Sequence, residues 1–202
     1  IILLGCGTSY NAGHASLNYF KKMCKFNIVS LYDGAEFDED DIPKIGNSVM
    51  ILISQSGETA DLINSIEIAK EKDIFIIGVV NVVDSMIARE ADCGCYLNAG
   101  REVGVASTKS FTNQVIVLSM IALWFSSIHK TNSSIRKQMI KDLRKLPYDI
   151  KKTVDNLYNG LDRTKIDKAV DILNKKSLFV LGKGMGEAIA NEGALKIKEL
   201  SY

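Results

Sequence analysis

The sequence predicts an α/β protein: a doubly wound parallel sheet in a three-layer sandwich, followed by a helical connector and the beginning of a second such domain. Three observations point there. Short β-branched runs alternate with stretches of helical period, the runs are continuously apolar instead of alternating, and a strand, loop and helix recur near the end of the chain.

The predicted strands are "IILLG" at 1–5, "NIVSLY" at 27–32, "SVMILIS" at 48–54, "IFIIGVV" at 74–80 and "CYL" at 95–97. Apolar residues at helical spacing fill 11–24, 59–72 and 84–91 between them. Continuous apolar strands belong to a parallel sheet covered on both faces. Residues 107–128 read as one long helix with Ser107 or Thr108 as N-cap, and from Val115 onward it is apolar on nearly every side, which predicts burial by its own domain or by a partner subunit. Its core, "VIVLSMIALWF" at 115–125, falls well short of the roughly 20 residues a spanning helix needs, so no membrane is expected. From 129 to 176 the chain turns lysine-rich and amphipathic, with breaks expected at Pro147 and at "NG", 159–160; the charge run reads most simply as a solvated helix face.

At 178 the chain starts again. "LFVLGKGMGEAIANEG" repeats the layout of "IILLGCGTSYNAGHAS", with Gly5 and Gly7 matching Gly182 and Gly184. The expected domains are therefore 1–130, a helical connector at 131–176, and the incomplete start of a second domain at 177–202. One strand and one helix cannot complete a sheet, so the chain is expected to be a piece of a longer protein.

Composition narrows the function. With 202 residues, 47% of them hydrophobic, the chain can bury a real core, and its net charge of +1 leaves no electrostatic footprint for nucleic acid. The four cysteines show no CxxC spacing and make no ligand set with His14 and His129, so reduced structural thiols in a cytoplasmic protein, and no metal, are expected. With no basic and apolar stretch at its start, which reads as a strand, no cleavable leader is expected in these residues.

The densest chemical signal is "SQSGET", where Ser54, Gln55, Ser56 and Thr59 follow a strand and precede a helix. That turn lies at the carboxyl edge of a parallel sheet, where backbone N–H groups and the helix dipole favour an anion. No lysine occurs between Lys44 and Lys70, which excludes the Walker pattern and disfavours nucleoside triphosphates. Neutral donors at a helix N-terminus suit one phosphate monoester, although a serine-rich turn with a plain helix cap would look the same. Two further loops point to the same edge: "GCGTSYNAG" offers Thr8 and Ser9, and "NAGREVGVASTKS" at 98–110 brings glycines to the long helix. "GCGTSY" also brushes the dinucleotide fingerprint, with Asp33 ending the next strand, but Tyr10 occupies the third glycine's place and no cofactor is expected.

In "ANEGALKIKELSY", Glu192, Lys196 and Glu199 share one helix face. Two carboxylates and an amine could move protons between adjacent carbons if burial tunes one of them. Spacing alone favours ordinary surface ion pairs.

Taken together, "CGTSYNAG", "SQSGETADL", "NAGREVGVASTKSFTNQ" and "EGALKIKELSY" resemble, in order and spacing across the whole chain, the isomerase region of the glutamine:fructose-6-phosphate amidotransferase (glucosamine-6-phosphate synthase) family. That region is built of two sugar isomerase (SIS) domains with a flavodoxin-like sandwich. The resemblance implies conversion of fructose 6-phosphate and ammonia to glucosamine 6-phosphate, with glucose 6-phosphate as a further sugar ligand, in a cytoplasmic homodimer whose ammonia comes from a glutaminase domain. It implies that Ser9, Ser54, Gln55, Ser56 and Thr59 hold the phosphate, that Val105 and Ser107 contact the sugar, that Glu199 shuttles the proton between C1 and C2, and that Lys196 and Glu192 assist at the sugar hydroxyls. The glutaminase domain, a ring-opening histidine and a Schiff-base lysine have no counterpart in these residues, and Cys6 does not replace the glutaminase nucleophile. The chain alone is therefore expected to use no glutamine and to turn over poorly. A different class of reading remains: SIS domains also occur in regulators that bind a sugar phosphate without chemistry.

Overall fold

A computed structural model describes residues 1–159, 163–174 and 177–201. Five strands, β1 (Ile2–Gly5), β2 (Ser30–Asp33), β3 (Val49–Ser54), β4 (Phe75–Val80) and β5 (Cys93–Tyr96), form one parallel sheet in the order β2-β1-β3-β4-β5. The helices that connect them are α1 (Thr8–Met23), α2 (Ala60–Glu71), α3 (Met86–Glu90) and α4 (Lys109–Ile128).

The pleat explains the continuous apolar runs. Ile2, Leu4, Met50, Leu52 and Ile76 point to one face, where they pack with Leu62 and Ile66 of α2 and Ile87 of α3. Their neighbours Leu3, Ile51, Ile53, Ile77 and Val79 point to the other, against Phe20 of α1 and Leu118, Ile121 and Ala122 of α4. A strand with helices on both sides has no polar face to show.

Strand order reverses between β1 and β3, which pair in register from Ile2↔Met50 to Gly5↔Ile53. Their carboxyl ends send the chain to opposite faces, into α1 on one side and α2 on the other. This crevice is the topological switch point of an open α/β sheet.

Several expectations need correction. Helix α1 starts at Thr8, three residues before the apolar period, so Thr8 and Ser9 sit in its first turn and not in a preceding loop. Strand β5 is an exposed edge along all four residues, not a doubly covered strand. Helix α4 is buried only on the face bearing Ser110, Gln114, Leu118 and Ala122; Met120, Trp124 and Ile128 on the other face are exposed. By length and composition α4 could cross a bilayer, yet Leu118 and Ala122 are wholly seated on the sheet side. Pro147 does not end a helix: it lies inside α5 (Ser133–Asn159), because a proline removes only one backbone donor and the surrounding lysine- and leucine-rich turns carry the helix past it. The expected break at Gly160 lies outside the described residues.

Residues 178–182 form no strand, since no neighbouring strand is present to pair with them, and Phe179 and Leu181 are exposed. The two glycine pairs nevertheless share backbone features. A Cβ on Gly5 would come within 2.8 Å of the Ser9 and Tyr10 backbone, and one on Gly182 within 2.0 Å of the Gly186 carbonyl. Gly7 and Gly184 both take positive φ, 54° and 60°, immediately before helices α1 and α7 (Met185–Ser201).

The described chain divides into two compact units. One holds residues from Ile1 to Thr131 together with the segment from Leu181 onward, so α7 packs on α1 within it. The other, Asn132–Val180, holds α5 packed with α6 (Arg163–Leu173).

Candidate functional site

At the switch point a cavity of about 350 Å³ opens between the β1–α1 loop, the β3–α2 loop and residues 102–107. All eight residues expected to bind a ligand, Thr8, Ser9, Ser54, Gln55, Ser56, Thr59, Val105 and Ser107, line it. Cys6, Glu102 and Gly104 complete its wall. A larger cleft, about 780 Å³, lies at the amino edge of β3 and β4 near Val49 and Phe75, lined by Glu39, Asp40, Lys44 and Lys72 among others. Size alone would select that cleft; convergent donors at helix N-termini select the smaller one.

The "SQSGET" loop is held from within. Ser54 Oγ accepts the Gly57 N–H at 2.9 Å and lies 2.9 Å from Thr59 Oγ1, while Ser56 Oγ accepts the Glu58 N–H at 3.1 Å. Gly57 has φ 69°, and a Cβ there would stand 2.0 Å from Ser85 Oγ. Glu58 accepts the Met86 N–H at 2.8 Å, fastening the loop to α3. Thr59 occupies the N-cap position of α2 but makes no capping hydrogen bond, and no side chain caps α1 either. The hydroxyls are therefore not spent on capping the two helix ends.

Sequence reading missed three polar residues. Glu102, on the loop before α4, accepts from Ser107 Oγ at 2.8 Å, the Thr108 N–H at 2.6 Å and the Ser110 N–H at 3.4 Å. It caps α4, where Thr108 takes the N-cap position without a side-chain bond. Burial pushes the Glu102 carboxyl up, but these hydrogen bonds outweigh it and hold the pKa at about 2. Gln114, wholly buried on α4, donates to Ser9 Oγ at 2.8 Å. Asn11, buried on α1, donates to Glu192 at 2.9 Å. The available signal was a polar side chain on the inward stripe of an otherwise apolar helix, which needs a partner.

The three ionisable residues of α7 form one cluster. Lys196 Nζ lies 2.7 Å from Glu199 and 3.5 Å from Glu192. The ammonium also donates to Thr8 Oγ1 at 3.0 Å, and Thr8 in turn donates to Glu192 at 3.2 Å. Glu192 is 6% exposed and fully engaged by Thr8, Asn11 and Lys196. This is not a solvated helix face. Thr8 joins the cavity wall to the ion-pair cluster, so its own hydroxyl is committed on both its donor and acceptor sides.

Cys6 sits in the wall half-buried, and burial together with the Asp33 carboxylate pushes its thiol up to about 11. A thiol that holds its proton is no nucleophile at neutral pH. Asp33 itself accepts the Ala35 N–H at 3.1 Å. Among the described residues no group of three or more His, Cys, Asp and Glu is placed to hold a metal ion.

A doubly wound sheet whose switch point gathers side-chain hydroxyls around a ligand-sized cavity defines an open α/β protein with a polar site at its carboxyl edge. Residues 1–124 match the SIS domain family, and the chain belongs to it. The whole chain is 45% identical to the "Probable glutamine–fructose-6-phosphate aminotransferase (isomerizing)" of Acanthamoeba polyphaga mimivirus, covering 32% of that protein. It is 38% identical to glutamine–fructose-6-phosphate aminotransferase (isomerizing) 2 of Homo sapiens, again over 100% of this chain and 29% of the relative. The chain thus spans about a third of the length of these relatives. In structure it is similar to the C-terminal domain of glucosamine-fructose-6-phosphate aminotransferase from Francisella tularensis, with TM-score 0.87 and 30% identity over 100% of this chain and 56% of that one.

Proposed function

We propose that the chain is the isomerase part of a glutamine:fructose-6-phosphate aminotransferase and that it helps convert fructose 6-phosphate and ammonia to glucosamine 6-phosphate and water. The observation that carries this reading is the Thr8 bridge, which ties a phosphate-sized cradle of hydroxyls to a partly buried Lys196–Glu199 pair. A phosphate fixed at Ser9, Ser56 and Thr59 leaves a six-carbon chain to extend past Val105 and Ser107 toward α7. Glu199, 28% exposed at its side chain, takes the proton from one of the two adjacent carbons and returns it to the other; Lys196, 2.7 Å away, holds the carboxylate oriented. Glu192 holds Lys196 in place.

On this reading residues 1–130 are the first SIS domain, 131–176 a helical connector and 177–202 the opening of a second SIS domain. The matched backbone roles of Gly5 and Gly182, and of Gly7 and Gly184, support the duplication. The remaining parts follow from the same proposal: a glutaminase domain supplies ammonia, two copies make a cytoplasmic homodimer, and the exposed α4 face with Met120 and Trp124 belongs to that contact.

The test is glucosamine 6-phosphate formation from fructose 6-phosphate and ammonia by the full-length protein carrying this chain. Glu199→Gln is expected to abolish turnover and leave sugar-phosphate affinity within about twofold, since the carboxylate acts on carbon-bound protons and not on the phosphate. Unchanged turnover would remove Glu199 from the chemistry. Tight sugar-phosphate binding with no turnover in the wild type would favour a sensor.

A further inference from the structure

The cradle poses a problem of direction. A phosphate dianion only accepts hydrogen bonds, so every hydroxyl aimed at it must donate, and the acceptor side of that hydroxyl must be filled by the protein. For Ser56 the backbone fills it, through the Glu58 N–H. For Ser54 the Gly57 N–H fills it, and the Ser54 proton is then free to pass to Thr59 Oγ1, turning the Thr59 proton outward. For Ser9 no backbone group does so. The donor is a side chain from another element, Nε2 of Gln114, 2.8 Å away.

Gln114 is 0% exposed, and its Oε1 is buried with no partner. An orphaned amide oxygen in a helix–sheet interface is a stability penalty that methionine or leucine at the same place would avoid. Packing therefore does not explain the residue. Ser107 gives the contrast: it donates to Glu102 and so presents lone pairs to the cavity, which suits a sugar hydroxyl and not a phosphate.

We propose that Gln114 is a positioning residue that sets the hydrogen-bond polarity of the site, holding Ser9 as a donor to the ligand's phosphate from behind the cavity wall. The inference rests on the phosphosugar reading above. It adds that one buried side chain, which touches no substrate, controls phosphate affinity, whereas Ser54 and Ser56 are polarised by backbone N–H groups.

The experiment measures glucosamine 6-phosphate and inorganic phosphate binding by calorimetry on the full-length wild type, Ser9→Ala, Gln114→Met and the double variant, with thermal unfolding of each. Gln114→Met is expected to weaken both ligands about three- to tenfold, the loss of one oriented hydrogen bond, without lowering the melting temperature. In the double variant the loss should equal that of Ser9→Ala alone, because Gln114 acts only through Ser9. In turnover KM should rise by the same factor with kcat unchanged, since the phosphate lies away from the reacting carbons. A folded Gln114→Met protein that binds like the wild type, or losses that add in the double variant, would overturn the inference and leave the phosphosugar reading standing. Should Gln114→Met fail to fold, Gln114→Glu replaces it: the ionised carboxylate accepts from Ser9, turns its proton away from the ligand, and must weaken phosphate binding at least as much. A folded wild type that binds neither ligand would overturn the phosphosugar reading and this inference together.

Discussion

Replacing Glu102 by glutamine tests how the loop before α4 is held. The wild-type carboxylate gathers the Ser107 hydroxyl at 2.8 Å and the Thr108 and Ser110 N–H groups at 2.6 and 3.4 Å, and it does for α4 what no N-cap side chain does. Its pKa, held at about 2 against an ordinary 4.5, converts without correction to about 3 kcal/mol. The carboxylate is partly exposed, and solvent screening reduces this to about 1 kcal/mol, which matches the usual worth of an N-cap. A depressed folded-state pKa fixes the sign: the stabilisation is fully present above about 4.5, the unfolded value, and is lost as pH falls toward about 2. Urea unfolding of wild type and Glu102→Gln should therefore differ by about 1 kcal/mol at pH 7, with the gap closing steadily below about pH 4.5. A pH-independent gap, or none at pH 7, would refute the capping argument. Because the same carboxylate polarises Ser107, the variant should also lose affinity for sugar phosphate while its affinity for inorganic phosphate stays constant.

Two further substitutions probe the parts around the cavity. Gly57→Ala, with φ 69° and its new methyl 2.0 Å from Ser85 Oγ, should destabilise the fold by about 2 kcal/mol or more in denaturant unfolding and remove phosphate binding, because the "SQSGET" loop must move. Asn11→Leu leaves Glu192 Oε2 short of a buried donor and should cost about 1–3 kcal/mol in the same assay; Asn11→Asp, placing a second acceptor at 2.9 Å, should do worse at pH 7 than near pH 4.

The sheet was legible in the sequence because a parallel strand buried on both faces leaves a run such as "SVMILIS" that no helix period imitates. The strand ends were less so: β2 covers Ser30–Asp33 instead of 27–32, since pairing with β1, from Ile2↔Ser30 to Gly5↔Asp33, and not local propensity sets its limits. Pattern left open what covers α4, because an all-apolar helix says only that something must cover each face; the sheet covers the face of Leu118 and Ala122. In the site, the loop residues could be read from position after a strand. Asn11, Glu102 and Gln114 could not, since their roles exist only across contacts 181, 6 and 105 residues apart in sequence.

The absence of lysine and arginine from the cradle has a physical consequence that the hydrogen bonds make concrete. A fixed cation would attract any phosphate at long range and hold it whatever the attached group, whereas oriented hydroxyls reward only an acceptor seated within about 3 Å of each. On the proposed reading discrimination depends on direction, set by the Gly57 and Glu58 N–H groups for the serine loop, by Gln114 for Ser9, and by Glu102 for Ser107. The cations are kept for the other end. Lys196 stands behind Thr8, its charge shared among Glu192, Glu199 and that hydroxyl, so it conditions the carboxylates without competing for the phosphate. Under the proposed function, phosphate capture and proton transfer fall to chemically different groups that meet at one threonine. Thr8→Val, nearly the same shape without the hydroxyl, should separate the two functions: phosphate affinity should hold, while turnover falls about tenfold or more as Lys196 loses its fixed position. Equal losses in KM and kcat would show instead that Thr8 serves the cradle directly.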